Sequence, residues 1–135
     1  MIAIRTEREI ELLREANRIV ADVLAELAGR VLPGVSTREL DQIAEAMIRK
    51  HGAEPAFLGY RAYPNTTCIS VDDEVVHGIP GDRRIMEGQL VSIDVGVRRK
   101  GYFGDAAITV PCGSLPPDKH RLLDTTERAL AMGIA

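Results

Sequence analysis

The chain predicts an α+β domain, because its helical and strand patterns are segregated along the sequence instead of alternating. Two amphipathic helical patterns, each opened by a capping signal, fill the first fifty residues. Two alternating apolar runs, Gln89–Val97 (QLVSIDVGV) and Tyr102–Val110 (YFGDAAITV), then flank a short basic tip. A last helical pattern closes the chain. The predicted architecture is an antiparallel sheet with the two N-terminal helices packed on one face and a C-terminal helix beyond it.

The first helix is announced by Thr6-Glu7-Arg8-Glu9, a hydroxyl followed three residues later by a carboxylate. Behind it Ile10, Leu13, Ile19, Val20, Val23, Leu24 and Leu27 form one apolar stripe. Pro33-Gly34 breaks the chain. Ser36-Thr37-Arg38-Glu39 repeats the capping arrangement, and Leu40, Ile43, Ala44, Met47 and Ile48 supply the stripe of a second helix that Gly52 stops. His51, in its last turn, is favoured there by the helix dipole. Residues 54–66 read as a loop, yet hold Phe57, Tyr60 and Tyr63, three of the five aromatic residues of the chain. Such a loop is either a pocket wall or a hydrophobic lid over the core. Thr67–Val71 reads as a strand and Asp72-Asp73 as a turn. Glu74–Pro80 (EVVHGIP) then sets His77 between an apolar strand end and a Gly-Ile-Pro turn.

The two alternating runs form a hairpin. With Arg99-Lys100 as a two-residue turn, Val91 faces Ile108, Ile93 faces Ala106, Val97 faces Tyr102, and Asp94 faces Asp105. That register yields an apolar face and a carboxylate pair on the reverse, and a one-residue slip would destroy both. Two carboxylates side by side repel unless a shared proton, a basic side chain or a cation neutralises them. Hard and borderline divalent ions prefer such oxygen ligands. The plain alternative is a pair of unrelated surface aspartates, but strands this apolar predict an internal hairpin.

Bulk properties narrow the function classes. An apolar content of 45% and a net charge of −3 suit one globular domain and give no electrostatic footprint for nucleic acid. The basic clusters Arg83-Arg84 and Arg98-Arg99-Lys100 read as solvated loop tips. No apolar run has membrane-spanning length and the N-terminus lacks a signal-peptide core, so the expectation is a cytoplasmic protein with no membrane partner. Two cysteines are too few for a disulfide framework, and Cys68 reads as a small buried residue. The last helical pattern, from about Asp118 to Ala135, resembles the first at an offset of 110 residues: Leu12-Leu13 match Leu122-Leu123, Arg18 matches Arg128 and Ala21 matches Ala131. The chain reads as starting a second copy of its own plan and stopping.

The helix pair, the segment GYRAYPNTTCISVDDEVVHGIP, the strand SIDVGV and the return strand GYFGDAAIT together resemble a type I methionine aminopeptidase. The resemblance covers essentially every residue, in order. It implies half of a pita-bread fold, whose two pseudo-symmetric α+β halves enclose a dinuclear metal centre that removes the initiator methionine from peptides and nascent chains. On that resemblance Asp94 chelates one metal ion, Asp105 bridges both, and His77 hydrogen-bonds the substrate near the scissile bond. Phe57, Tyr60, Tyr63 and Cys68 fall on the pocket for the methionine side chain. The cofactors implied are two divalent ions, Co, Mn, Fe or Zn.

The same resemblance sets a limit. The family takes its remaining ligands, a histidine and two glutamates, from its second half. Residues 1–135 are therefore expected to be an N-terminal half that holds two of five ligands, binds metal weakly and is inactive alone. Two further readings stand beside it. One is a half-domain that pairs with itself as a homodimer through its exposed face. The other is a non-catalytic pita-bread module that binds peptide or protein, against which the retained aspartates weigh. Prolidase-like relatives share the fold and the Asp pair, while the short N-terminal lead and the CIS…VVHGIP stretch favour the methionine enzyme.

Overall fold

The structure, a computed structural model, describes residues 4–135. Helix α1 (Glu7–Ala28) starts at a complete capping box: the Thr6 hydroxyl accepts the Glu9 N–H, and the Glu9 carboxylate accepts the Thr6 N–H at 2.8 Å. Helix α2 (Thr37–Lys50) starts the same way from Ser36 and Glu39. It ends at His51, with Gly52 in the left-handed conformation (φ 66°) that stops helices. The following loop begins with a two-residue strand β1 (Glu54–Pro55) and carries one 3-10 turn at Tyr60–Ala62 before strand β2 (Thr67–Val71). Strands β3 (Leu90–Arg99) and β4 (Tyr102–Pro111) form the hairpin, and helix α3 (Pro117–Ile134) follows.

β3 is the centre of the sheet. β4 pairs along one edge of it, while β2 and β1 share the other, opposite Val91–Val95 and Val97–Arg98 respectively. All pairings are antiparallel. The side chains of Val91, Ile93, Val95 and Val97 are fully buried against Ile69 and Val71 of β2, the stripe Ile19, Val20, Val23, Leu24 and Leu27 of α1, and Leu40, Ala44 and Ile48 of α2. Each such aliphatic side chain contributes roughly 1.5–3 kcal/mol by leaving water. α1 lies directly on β4 because Gly104 has no side chain there: a Cβ would stand 2.6 Å from the Ala16 carbonyl carbon.

The hairpin register differs from the expected one by two residues. Arg99 pairs with Tyr102, so the turn is Lys100-Gly101, and both residues have positive φ (50° and 83°). That is the twist-matched two-residue hairpin turn, which asks for left-handed backbone at both central positions. Gly101 meets that demand without strain, whereas a turn at Arg99-Lys100 would force it on two side-chain-bearing residues. Arg99 is released to donate to the carbonyls of His51 and Gly52 and to Glu15, and Lys100 pairs with Glu15 at 2.9 Å. The tip is thus solvent-exposed, as expected, and is also a tether to α1 and to the end of α2.

Two further expectations are corrected. The hairpin is internal on one face only; on the other, Asp105, Ala107 and Thr109 are exposed. Residues 74–76 form no strand, and Val75, Val76 and Ile79 are exposed in an irregular loop. The reason is at Asp72, a left-handed residue (φ 57°) whose carboxylate accepts from the Leu90 N–H, Gln89 and Lys119. That clamp turns the chain away from the sheet. α3 buries none of its residues, leaves Leu122, Leu130, Met132 and Ile134 exposed, and is tethered through Lys119 to Asp72 (2.6 Å) and the Gly88 carbonyl (3.0 Å).

Candidate metal site

Side chains alternate along a strand, so the reverse face of the sheet carries the polar positions in cross-strand rows. Cys68, Asp94 and Ala107 make one row, Ser70, Ser92 and Thr109 the next, and Gly96 lies beside Asp105. The Ser92 and Thr109 hydroxyls are 2.8 Å apart. Asp94 and Asp105 are consequently diagonal neighbours and not directly opposed. A shift of two residues preserves the face, so the carboxylate pair survives the change of register.

The two carboxylates lie close enough for the Asp105 charge to act on Asp94. Burial pushes the Asp94 carboxyl above the ordinary range, the Asp105 charge pushes it further, and His77 opposes them. Among the described residues no lysine or arginine pairs with either aspartate. A partly desolvated like-charge pair of this kind is relieved by a cation, and two oxygen donors on one rigid hairpin suit a divalent ion. No group of three or more His, Cys, Asp or Glu among the described residues is placed to hold a metal. The described residues therefore bring two carboxylates together without a complete set of metal ligands.

His77 stands exposed in the irregular loop, near enough for its charge to act on Asp94, with its own backbone left-handed at φ 59°. Its neighbour anchors it. The Gly78 carbonyl accepts the Ile69 N–H at 2.9 Å, the Gly78 N–H donates to Ser70 Oγ at 3.1 Å, and the Tyr63 hydroxyl lies 3.3 Å from the same carbonyl. A Cβ on residue 78 would stand 2.2 Å from the Ile69 oxygen, so only glycine permits this approach.

The aromatic loop divides. Tyr63 is half-buried and donates to the Thr67 carbonyl at 2.9 Å; burial pushes its hydroxyl pKa up strongly, and contact with Cys68 adds to it. Burial likewise raises the Cys68 thiol, with the Tyr63 hydrogen bond opposing and the charges of Asp94 and Asp105 reinforcing, so the thiol stays neutral beside Asp94. Phe57 is half-buried with its ring over Gly96. Tyr60 alone points away, 63% exposed, with the Arg61 guanidinium 5.5 Å from its ring centre.

Sequence reasoning missed Asp41, Ser70, Gly78 and Gly96. Asp41 is buried and accepts from Asn65, the N–H groups of Thr66 and Thr67, and the Thr67 hydroxyl, which pins the end of the aromatic loop. Its signal was a carboxylate inside the apolar stripe of α2. That of Gly96 was a glycine inside a strand, a mark of close approach.

The profile of metallopeptidase family M24 matches residues 11–135. The chain belongs to that family. It is 48% identical over 134 residues to methionine aminopeptidase 1 of Bacillus subtilis, covering 99% of this chain and 54% of that protein. It is also 48% identical to the methionine aminopeptidase of Aquifex aeolicus, with 96% and 53% covered. The crystal structure of methionine aminopeptidase from Rickettsia prowazekii superposes with a TM-score of 0.96 at 34% identity, over 99% of this chain and 54% of that one. Prolidase from Pyrococcus furiosus follows at 0.77 and 29%, over 87% and 34%. The three helices and four-stranded antiparallel sheet are half of the pita-bread fold of this family. The chain spans about half the length of the curated relatives it matches. Metallopeptidases of this family are hydrolases that use divalent metal.

Proposed function

We propose that residues 1–135 are the N-terminal half of a type I methionine aminopeptidase, cytoplasmic, acting on the N-terminal methionine of peptides and nascent chains. The observation that carries the reading is the Asp94–Asp105 pair, bare of any basic partner on the open face of the sheet, with Cys68 paired to Asp94 across the strands and the Phe57 ring seated on Gly96 beside Asp105. The similarity to named methionine aminopeptidases over 96–99% of the chain supports it.

In this reading Asp94 and Asp105 supply two of the ligands for a pair of divalent ions, Co, Mn, Fe or Zn. Bound there, the metal supplies an activated water at neutral pH and polarises the peptide carbonyl. Both carboxylates would serve as metal ligands, as the family resemblance implies, and the hairpin holds them at a fixed separation. His77, held by the Gly78 anchor, hydrogen-bonds the substrate near the scissile bond. Phe57, Tyr63 and Cys68 surround the methionine side chain with apolar and weakly polar surface and exclude water from it. Tyr60 joins them only by turning inward from its exposed position. Two carboxylates bind a divalent ion weakly, so this segment is inactive alone.

Mn²⁺ binding followed by electron paramagnetic resonance tests the site, with methionine release from Met-Ala-Ser run on the same fractions. Weak binding that disappears in both Asp94→Asn and Asp105→Asn, with no methionine released, is expected. Binding unchanged in both variants, or turnover by the pure segment, refutes the reading. A second reading, a homodimer, is favoured by the exposed Leu122, Leu130, Met132 and Ile134 of α3. Light scattering at micromolar concentration decides it, a monomeric mass being the result against.

A further inference from the structure

We infer that Gly96 is a specificity-determining residue: its missing side chain seats the Phe57 ring level with the carboxylate pair and so sets the depth of the substrate pocket. The inference rests on the pocket reading above and adds a residue to it.

Gly96 stands two residues after Asp94 on β3, so a side chain there would project from the same face as Asp94 and Cys68. That space is filled. A Cβ on Gly96 would lie 2.3 Å from Cε1, and 2.8 Å from Cδ1 and Cζ, of Phe57. Gly96 carries no positive φ, so conformational freedom does not explain the glycine; the ring does. Across the hairpin the partner of Gly96 is Asp105, and directly paired residues hold their side chains roughly 5 Å apart. The ring thus flanks Asp105 on one side and lies one strand repeat from Asp94.

The backbone holds this placement. The Ala56 N–H donates to the Gly96 carbonyl at 2.9 Å, and β1 pairs with Val97 and Arg98, so the chain entering Phe57 is hydrogen-bonded to the strand beneath the ring. The ring cannot retreat along the loop without breaking that pairing. Any side chain at 96 must therefore push it outward, by roughly an ångström before contacts relax to van der Waals distance. Outward is away from the sheet on the face that also carries the two aspartates, where on the pocket reading the first side chain of a bound peptide would sit.

In a snug apolar pocket one methylene of misfit changes kcat/KM by about 10-fold or more. The test uses the full-length enzyme carrying this segment, with Met-Ala-Ser and its ethionine-first and leucine-first analogues. Gly96→Ala is expected to lower kcat/KM for Met-Ala-Ser about 10-fold, mainly through KM, with metal content and melting temperature near those of the parent. Phe57→Ala loses binding of its own, but in that background Gly96→Ala is expected to add little further loss, because the ring it would displace is gone. Phe57→Ala alone is expected to raise the ratio of ethionine-first to methionine-first cleavage about 10-fold. Equal losses from Gly96→Ala with and without the Phe57 ring overturn the inference, as does a selectivity unchanged in Phe57→Ala. A parent enzyme that binds metal but releases no methionine overturns the pocket reading itself, and this inference falls with it.

Discussion

Replacing Gly78 by Ala separates the stability of the sheet from the placement of His77. The new methyl group would start 2.2 Å from the Ile69 carbonyl oxygen and 2.9 Å from its carbon, both backbone atoms of the buried strand β2. β2 cannot yield, because all five of its residues are buried and paired with β3. The loop must move, by roughly an ångström. That movement breaks the 2.9 Å bond from the Ile69 N–H to the Gly78 carbonyl and the 3.1 Å bond from the Gly78 N–H to Ser70, and it removes the Tyr63 contact. Water reaches the freed groups, since residues 75–77 are already exposed. Each lost bond therefore costs about 0.5–1.5 kcal/mol, not a full desolvation penalty, and the total is about 1–3 kcal/mol. Urea unfolding of parent and variant measures it. The His77 imidazole resonances in the presence of Mn²⁺ measure the second effect: they broaden strongly in the parent and much less in Gly78→Ala. A variant within about 0.5 kcal/mol of the parent, with His77 broadened as before, would refute the claim that this close approach anchors the histidine.

Burial and the neighbouring Asp105 charge hold the Asp94 carboxyl above the ordinary aspartate range in the folded chain, so its ionisation opposes folding. The cost is absent below the unfolded value, grows as pH rises through the raised folded value and is complete above it. Asp94→Asn should therefore stabilise the metal-free chain at pH 7 by up to about 1 kcal/mol, a gain that vanishes below pH 3.8; urea midpoints in chelator across pH check the sign. Asp41→Ala leaves the buried Thr66 and Thr67 N–H groups and the Thr67 hydroxyl without their acceptor. It should cost about 2–4 kcal/mol and loosen the aromatic loop, seen as faster amide exchange at residues 65–67. Ser36→Ala removes the cap of α2 and should cost about 1 kcal/mol by thermal melting. Because Ser36 is buried and Thr6 exposed, the loss should exceed that of Thr6→Ala.

The helix starts at Thr6 and Ser36, the strand Thr67–Val71 and the alternation of β3 were legible from residue order, because capping and period are local properties of the chain. The apolar parity of β3 also assigned Asp94 and Asp105 to a common face, and no two-residue shift could disturb that. Everything else at the site depends on contacts between residues far apart in sequence. The hairpin register was settled by the left-handed demand of the turn, which selected Lys100-Gly101, and by Arg99 reaching Glu15 and the carbonyls after α2. The path to His77 was settled by the Asp72 clamp and by the approach of Gly78 to β2, neither of which leaves a periodic trace. The Phe57 ring found its seat because β3 lacks a side chain at Gly96, a vacancy visible only when the loop is folded over it. Local patterns specify which face a residue occupies; which side chains meet on that face is decided by packing, and packing is a property of the assembled sheet.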